Sequence, residues 1–134
     1  MKKTVIFLFT VSLLMTFDGC AQNGQKNSET KKTEYRKISA EEAKKMLDEN
    51  PDAILVDVRT AAEYREKHIP NAILLPDSEI KSKAADVLTD KDALILVYCR
   101  SGRRSANAAL QLINMGYTNV YDFGGIMSWP YETL

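Results

Sequence analysis

The sequence predicts an α/β domain built on a small, mainly parallel sheet with helices on both faces. Two observations predict it. Ala53-Ile54-Leu55-Val56, Ala72-Ile73-Leu74-Leu75 and Ala93-Leu94-Ile95-Leu96-Val97-Tyr98 are continuous apolar runs of strand length, the signature of strands covered on both faces. Between them lie segments whose apolar residues recur at helical spacing, and alternation of this kind favours a parallel sheet. The length, 134 residues, suits one domain with a leader rather than two domains.

In chain order, Tyr35-Arg36-Lys37-Ile38 reads as a short edge strand. Ser39 with Glu42 forms a capping box opening a helix whose face is Ala43, Met46 and Leu47, and Asn50-Pro51 stops it. The strand at 53–56 follows. Thr60 with Glu63 is a second capping box, opening a short helix that ends before His68. After the strand at 72–75 and Pro76, the positions Ile80, Ala84, Val87 and Leu88 space out a third helix. The strand at 93–98 leads through a short turn into a fourth, with Ala106, Ala109, Leu110 and Ile113 as its apolar stripe and Gly116 placed to end it. Asn119 to Asp122 completes a last strand.

The turn after the central run is Cys99-Arg100-Ser101-Gly102-Arg103-Arg104-Ser105. A strand thus delivers a thiol to a turn where a helix begins. Backbone N–H groups and the positive end of the helix dipole favour the thiolate there. Three arginines add forked donors suited to an oxyanion. Asp57 and Cys99 both fall at the carboxyl ends of strands, the edge where open α/β sheets place their sites. Ser105 reads as a cap for the following helix.

These residues resemble the rhodanese domains, which are sulfurtransferases. Cys99-x-x-Gly102-x-Arg104 is similar to their active-site loop. Asp57-Val58-Arg59, His68-Ile69-Pro70-Asn71-Ala72, and Gly116-Tyr117 through Gly124-Gly125-Ile126 and Trp129 match three further stretches in the family's order. The likeness covers residues 34–134. It implies a rhodanese-like fold and a double displacement. Cys99 takes sulfur from thiosulfate or a similar small anionic donor, holds it as a persulfide, and passes it to a thiol or cyanide acceptor. It also implies a substrate- and persulfide-binding loop of Arg100, Ser101, Gly102, Arg103 and Arg104, whose amides cradle the terminal sulfur, with Arg104 as the loop-closing arginine. Arg100 and Arg103 either orient the donor or are solvated charges. Asp57 and Arg59 are supporting residues, read as a pair tying the first loop to the site. His68 is read as a turn element, and Trp129 and Tyr98 as packing. No cofactor is implied, and a single histidine cannot build a metal site.

Other chemistries are weighed on the same residues. Cysteine phosphatases and arsenate reductases also use a cysteine-loop-arginine cradle, but with five intervening residues; Arg104 leaves four. A docking module, or a thiol-redox module without turnover, is the alternative to a sulfurtransferase. Lys plus Arg and Asp plus Glu both number 18, and three clustered arginines suit a small anion better than a polyphosphate track, so nucleic acid is not an expected partner.

The N-terminus carries an address. Lys2-Lys3 precedes the largely apolar stretch from Thr4 to Phe17, whose length fits a signal peptide and falls short of the ~20 residues of a spanning helix. Gly19-Cys20 resembles a bacterial lipoprotein cleavage site with Cys20 as the lipid-attachment residue. Phe17 and Asp18 depart from that pattern, and ordinary cleavage after Ala21 and an uncleaved anchor are the alternatives. The expected organisation is a signal-peptide or lipoprotein leader at 1–20, a flexible polar tether at 21–33 and the folded domain at 34–134. The expected location is the cell envelope or periplasm, with membrane attachment through the lipid. Cys99 is then a lone thiol in an oxidising compartment, which favours a chemical role.

Overall fold

The structure, a computed structural model, describes residues 34–134. The leader, the tether and Cys20 lie outside the described residues.

Arg36–Lys37 forms β1, and Ala40–Glu49 forms α1. Ser39 caps α1 reciprocally: its Oγ accepts from Glu42 N (3.1 Å) while its own N–H donates to Glu42 Oε2 (2.8 Å). Ile54–Asp57 is β2 and Ala61–Glu66 is α2, opened by the Thr60/Glu63 box. Ile73–Leu74 is β3, shorter than its apolar run, and a 3-10 turn at Asp77–Glu79 leads into α3, Ile80–Val87. Ile95–Cys99 is β4, buried throughout, and Arg103–Asn114 is α4. Val120–Gly125 is β5, which runs past the expected end at Asp122 into the glycine pair.

The sheet order is β1-β5-β4-β2-β3, with every pairing parallel. The most continuously apolar strand, β4, therefore sits at the centre. Side chains alternate across it. Ile95, Val97 and Cys99 pack with Ile80, Ala84, Ala108 and Leu112 on the α3/α4 face. Leu96 and Tyr98 pack with Ala40, Ala43, Tyr64 and Phe123 on the α1/α2 face. Fully burying one leucine-sized side chain in either layer contributes about 1.5–3 kcal/mol.

Two expected core positions lie outside. Val87 is 45% exposed and Leu110 43%. In α4 the buried stripe is Ser105, Ala108, Ala109 and Leu112, not Ala106, Ala109, Leu110 and Ile113. Small residues at three of these four positions let the helix approach β4 and β5 closely, with Leu112 filling the far end, so the contact face is rotated from the one hydropathy suggests.

Candidate active site

The strand-turn-helix at Cys99 sets the geometry. β4 ends at Cys99, which stands opposite Gly125 of β5 after a register shift between Val97 and Cys99. Gly125 lies so close under the turn that a Cβ there would collide with the backbone of Arg100 and Ser101. Gly102 takes φ 111° as the N-cap of α4, a left-handed conformation that glycine adopts without penalty. This bend turns the Gly102 N–H back onto Cys99 Sγ at 2.9 Å. The turn is pinned from outside by Met127 N–H donating to Arg100 O (3.2 Å).

Ser105 is not the helix cap. Its hydroxyl is buried at the first turn of α4, 3.5 Å from Cys99 Sγ and 3.1 Å from both Gly102 O and Gly124 O. Burial pushes the Cys99 thiol up, but the Ser105 hydroxyl and the N–H groups of Ser105, Gly102 and Ser101 outweigh it and hold the thiol below its ordinary value. Cys99 is only 1% exposed, yet it lines a cavity of about 510 Å³ with Asp77, Ser101, Arg103, Arg104 and Asn107.

The arginines divide. Arg104 does not bond the sulfur; it makes a forked pair with Glu63, Nη1 to Oε2 and Nη2 to Oε1, both 2.8 Å. This pair ties the start of α4 to α2. Hydrogen bonding from Arg104, against some burial, holds the Glu63 carboxyl far below the usual carboxylate range, and the same bond raises Arg104. Arg103 is exposed at the Cys99 cavity. Arg100 is exposed too, and lines a neighbouring cavity of about 480 Å³ with Arg59, Glu63, Glu66, Lys67, Ile126 and Met127.

Asp57 and Arg59 form a buried ion pair (2.6 Å) on the α1/α2 side of the sheet. Arg59 also donates to Lys67 O (2.6 Å), and Tyr98 OH donates to Asp57 Oδ2 (2.7 Å). The pair thus joins the loop after β2 to the turn after α2, and Tyr98 is a polar link as well as a packing residue. Its hydroxyl also accepts from Ile69 N–H (3.1 Å). His68 stacks on Tyr64 (3.9 Å between ring centroids), its Nδ1 is 2.9 Å from Tyr64 O, and its backbone pairs with Leu134. Trp129 packs against Phe123.

Sequence reasoning missed Glu63, Ser105 and Asp77 at this site. Glu63 was legible only as half of a capping box, and Ser105 only as a cap for the following helix, a place that Gly102 takes.

A family model for the rhodanese-like domain matches residues 39–131, most of the described chain. The chain belongs to the rhodanese-like family. A sulfurtransferase of Allochromatium vinosum is 37% identical over 98 residues, covering 72% of this chain and 90% of that protein. The thiosulfate sulfurtransferase PspE of Escherichia coli is 39% identical over 71 residues, 53% of this chain and 68% of that one. Among solved structures, a rhodanese with anions from E. coli superposes with a TM-score of 0.58 at 34% identity, covering 61% of this chain and 96% of that one. The rhodanese-like fold that the resemblance implied is therefore the fold of this domain.

Proposed function

We propose that this rhodanese domain is a sulfurtransferase in which Cys99 carries the sulfur. The observation that carries the reading is the Cys99 sulfur held 2.9 Å from the Gly102 N–H and 3.5 Å from the Ser105 hydroxyl, at the edge of an open cavity. The Cys99 thiolate attacks the outer sulfur of thiosulfate. A Cys99–sulfur bond forms, the sulfur–sulfur bond of the donor breaks, and its electron pair leaves with sulfite. The Ser101, Gly102 and Ser105 amides supply fixed positive dipoles to the anionic sulfur, at no reorganisation cost. A thiol or cyanide then takes the outer sulfur and restores the thiolate. Arg103, exposed at the Cys99 cavity, draws in the anionic donor, while Arg100 faces the neighbouring cavity. Asp57 and Arg59 keep the neighbouring loop in place. The relatives named as sulfurtransferases support the same chemistry.

Export and lipid attachment at Cys20 belong to the same proposal. They place the reaction in the cell envelope, and palmitate labelling of wild type against Cys20→Ser tests them.

The chemistry is tested by intact mass after thiosulfate treatment. Wild type is expected to gain one sulfur atom, released by cyanide, and Cys99→Ser to gain none. Failure of the wild-type domain to gain sulfur from any sulfane donor would leave a docking module as the better reading.

A further inference from the structure

The turn carries three arginines, but the cavity that Cys99 lines is not strongly cationic. Arg104 is neutralised by its forked pair with Glu63. Arg100 faces the neighbouring cavity. What remains at the Cys99 cavity is Arg103, neutral Ser101 and Asn107, and the carboxylate of Asp77. Asp77 sits half-buried in the 3-10 turn before α3, its backbone N–H held by Val58 O at 2.9 Å. No hydrogen bond or ion pair to its carboxylate occurs among the described residues, whereas Glu79 of the same turn is paired with Lys83 at 2.8 Å. Arg104 lines the cavity as well and lies within electrostatic reach of both Asp77 and Cys99. With Glu63 offsetting Arg104, the charges of Arg103, Asp77 and the Cys99 thiolate leave the cavity one charge negative among the described residues.

We propose that Asp77 is a charge-selecting residue that disfavours dianionic sulfur donors such as thiosulfate relative to monoanionic ones such as an alkyl thiosulfonate. The inference rests on the sulfurtransferase reading above and refines its substrate class. The transfer has the same form with either donor. The thiolate bonds the outer sulfur, the donor's sulfur–sulfur bond breaks, and sulfite leaves from thiosulfate or an alkyl sulfinate from the thiosulfonate. Charge balances without an added oxidant. Only the charge to be brought past Asp77 differs, and Coulomb repulsion scales with it.

The test compares kcat/KM for thiosulfate and methanethiosulfonate, with cyanide as acceptor, in wild type, Asp77→Asn and Glu79→Gln. Because the logarithm of the effect scales with donor charge, Asp77→Asn is expected to raise the monoanion about threefold and the dianion about ninefold. The preference thus shifts about threefold toward thiosulfate. The shift should fade in 1 M salt, where the screening length falls to about 3 Å. Glu79→Gln, which removes the same formal charge from the same turn, should leave the preference unchanged. A shift below about 1.5-fold in Asp77→Asn, or an equal shift in Glu79→Gln, overturns the inference while leaving sulfur transfer intact. If neither donor loads sulfur onto wild-type Cys99, the parent reading fails, and this one with it.

Discussion

Replacing Glu63 by alanine should damage stability, through Arg104 and the Thr60 cap, and sulfur transfer, through Arg104. The Glu63 carboxylate accepts four bonds. Two come from the Arg104 guanidinium at 2.8 Å, and two from Thr60, through N–H (3.0 Å) and Oγ1 (2.9 Å). The Thr60 bonds belong to a helix cap, worth about 1 kcal/mol. The side chains of Glu63 and Arg104 are 26% and 30% exposed. The pair thus falls between a surface ion pair, below about 1 kcal/mol, and the 3–5 kcal/mol lost on breaking a fully buried one, and about 1–2 kcal/mol is appropriate. Glu63→Ala should therefore cost about 2–3 kcal/mol, a fall of roughly 10–20 °C in Tm for a domain near 100 residues.

The decisive assay is a double-mutant cycle with Arg104→Ala, read by thermal denaturation and by thiosulfate:cyanide turnover. A coupling of about 1–2 kcal/mol is expected, and the double variant should transfer sulfur no more slowly than the worse single variant. Coupling below about 0.3 kcal/mol, within ordinary additivity, would refute the tether. Acid adds a sign. Because Glu63 is depressed in the fold, its stabilisation is fully present above the ordinary glutamate pKa of about 4.3 and is lost as pH falls through the folded value. The difference between wild type and Glu63→Gln should be flat at neutral pH and shrink in strong acid.

The remaining expectations concern the turn. Ser105→Ala removes the hydroxyl nearest the sulfur, so the midpoint of the pH–rate profile for Cys99 alkylation, which lies below that of an ordinary thiol in wild type, should move up; no movement would show that the hydroxyl does not favour the thiolate. The same change should lower stability by about 1 kcal/mol, because the single hydroxyl proton is shared among the sulfur, Gly102 O and Gly124 O, and Gly102 O keeps its bond from Ala106 N–H (3.1 Å). Gly125→Ala forces the Arg100–Ser101 backbone to shift, at a cost of about 1–3 kcal/mol; sulfur transfer should fall far more than after Gly116→Ala, where an added Cβ meets open space and the strain comes only from the positive φ of 95°.

Some misreadings are informative. The stripe expected on α4 was displaced because hydropathy ranks Leu110 above Ser105, while close packing against β4 and β5 rewards the smaller side chain. Val87 was counted as core from its spacing alone, yet α3 ends there and the residue is exposed. Three neighbouring arginines read as a cationic cradle; the fold pairs one with Glu63, aims another at a different cavity, and puts the carboxylate of Asp77 in the cavity that the third lines.

The amino-acid order alone determined what local rules can encode: buried strands from unbroken apolar runs, helix starts from Ser39/Glu42 and Thr60/Glu63, and a thiol at a strand-to-helix turn. These depend on residues only a few positions apart, whose geometry the backbone dictates. Only the folded chain decided that Glu63 meets Arg104 across 41 positions, that Ser105 faces the sulfur, and that Asp77 enters the same cavity. Those meetings are fixed by how α2, α4 and the 3-10 turn dock on the sheet, and docking is a sum over many contacts that no short stretch of sequence contains.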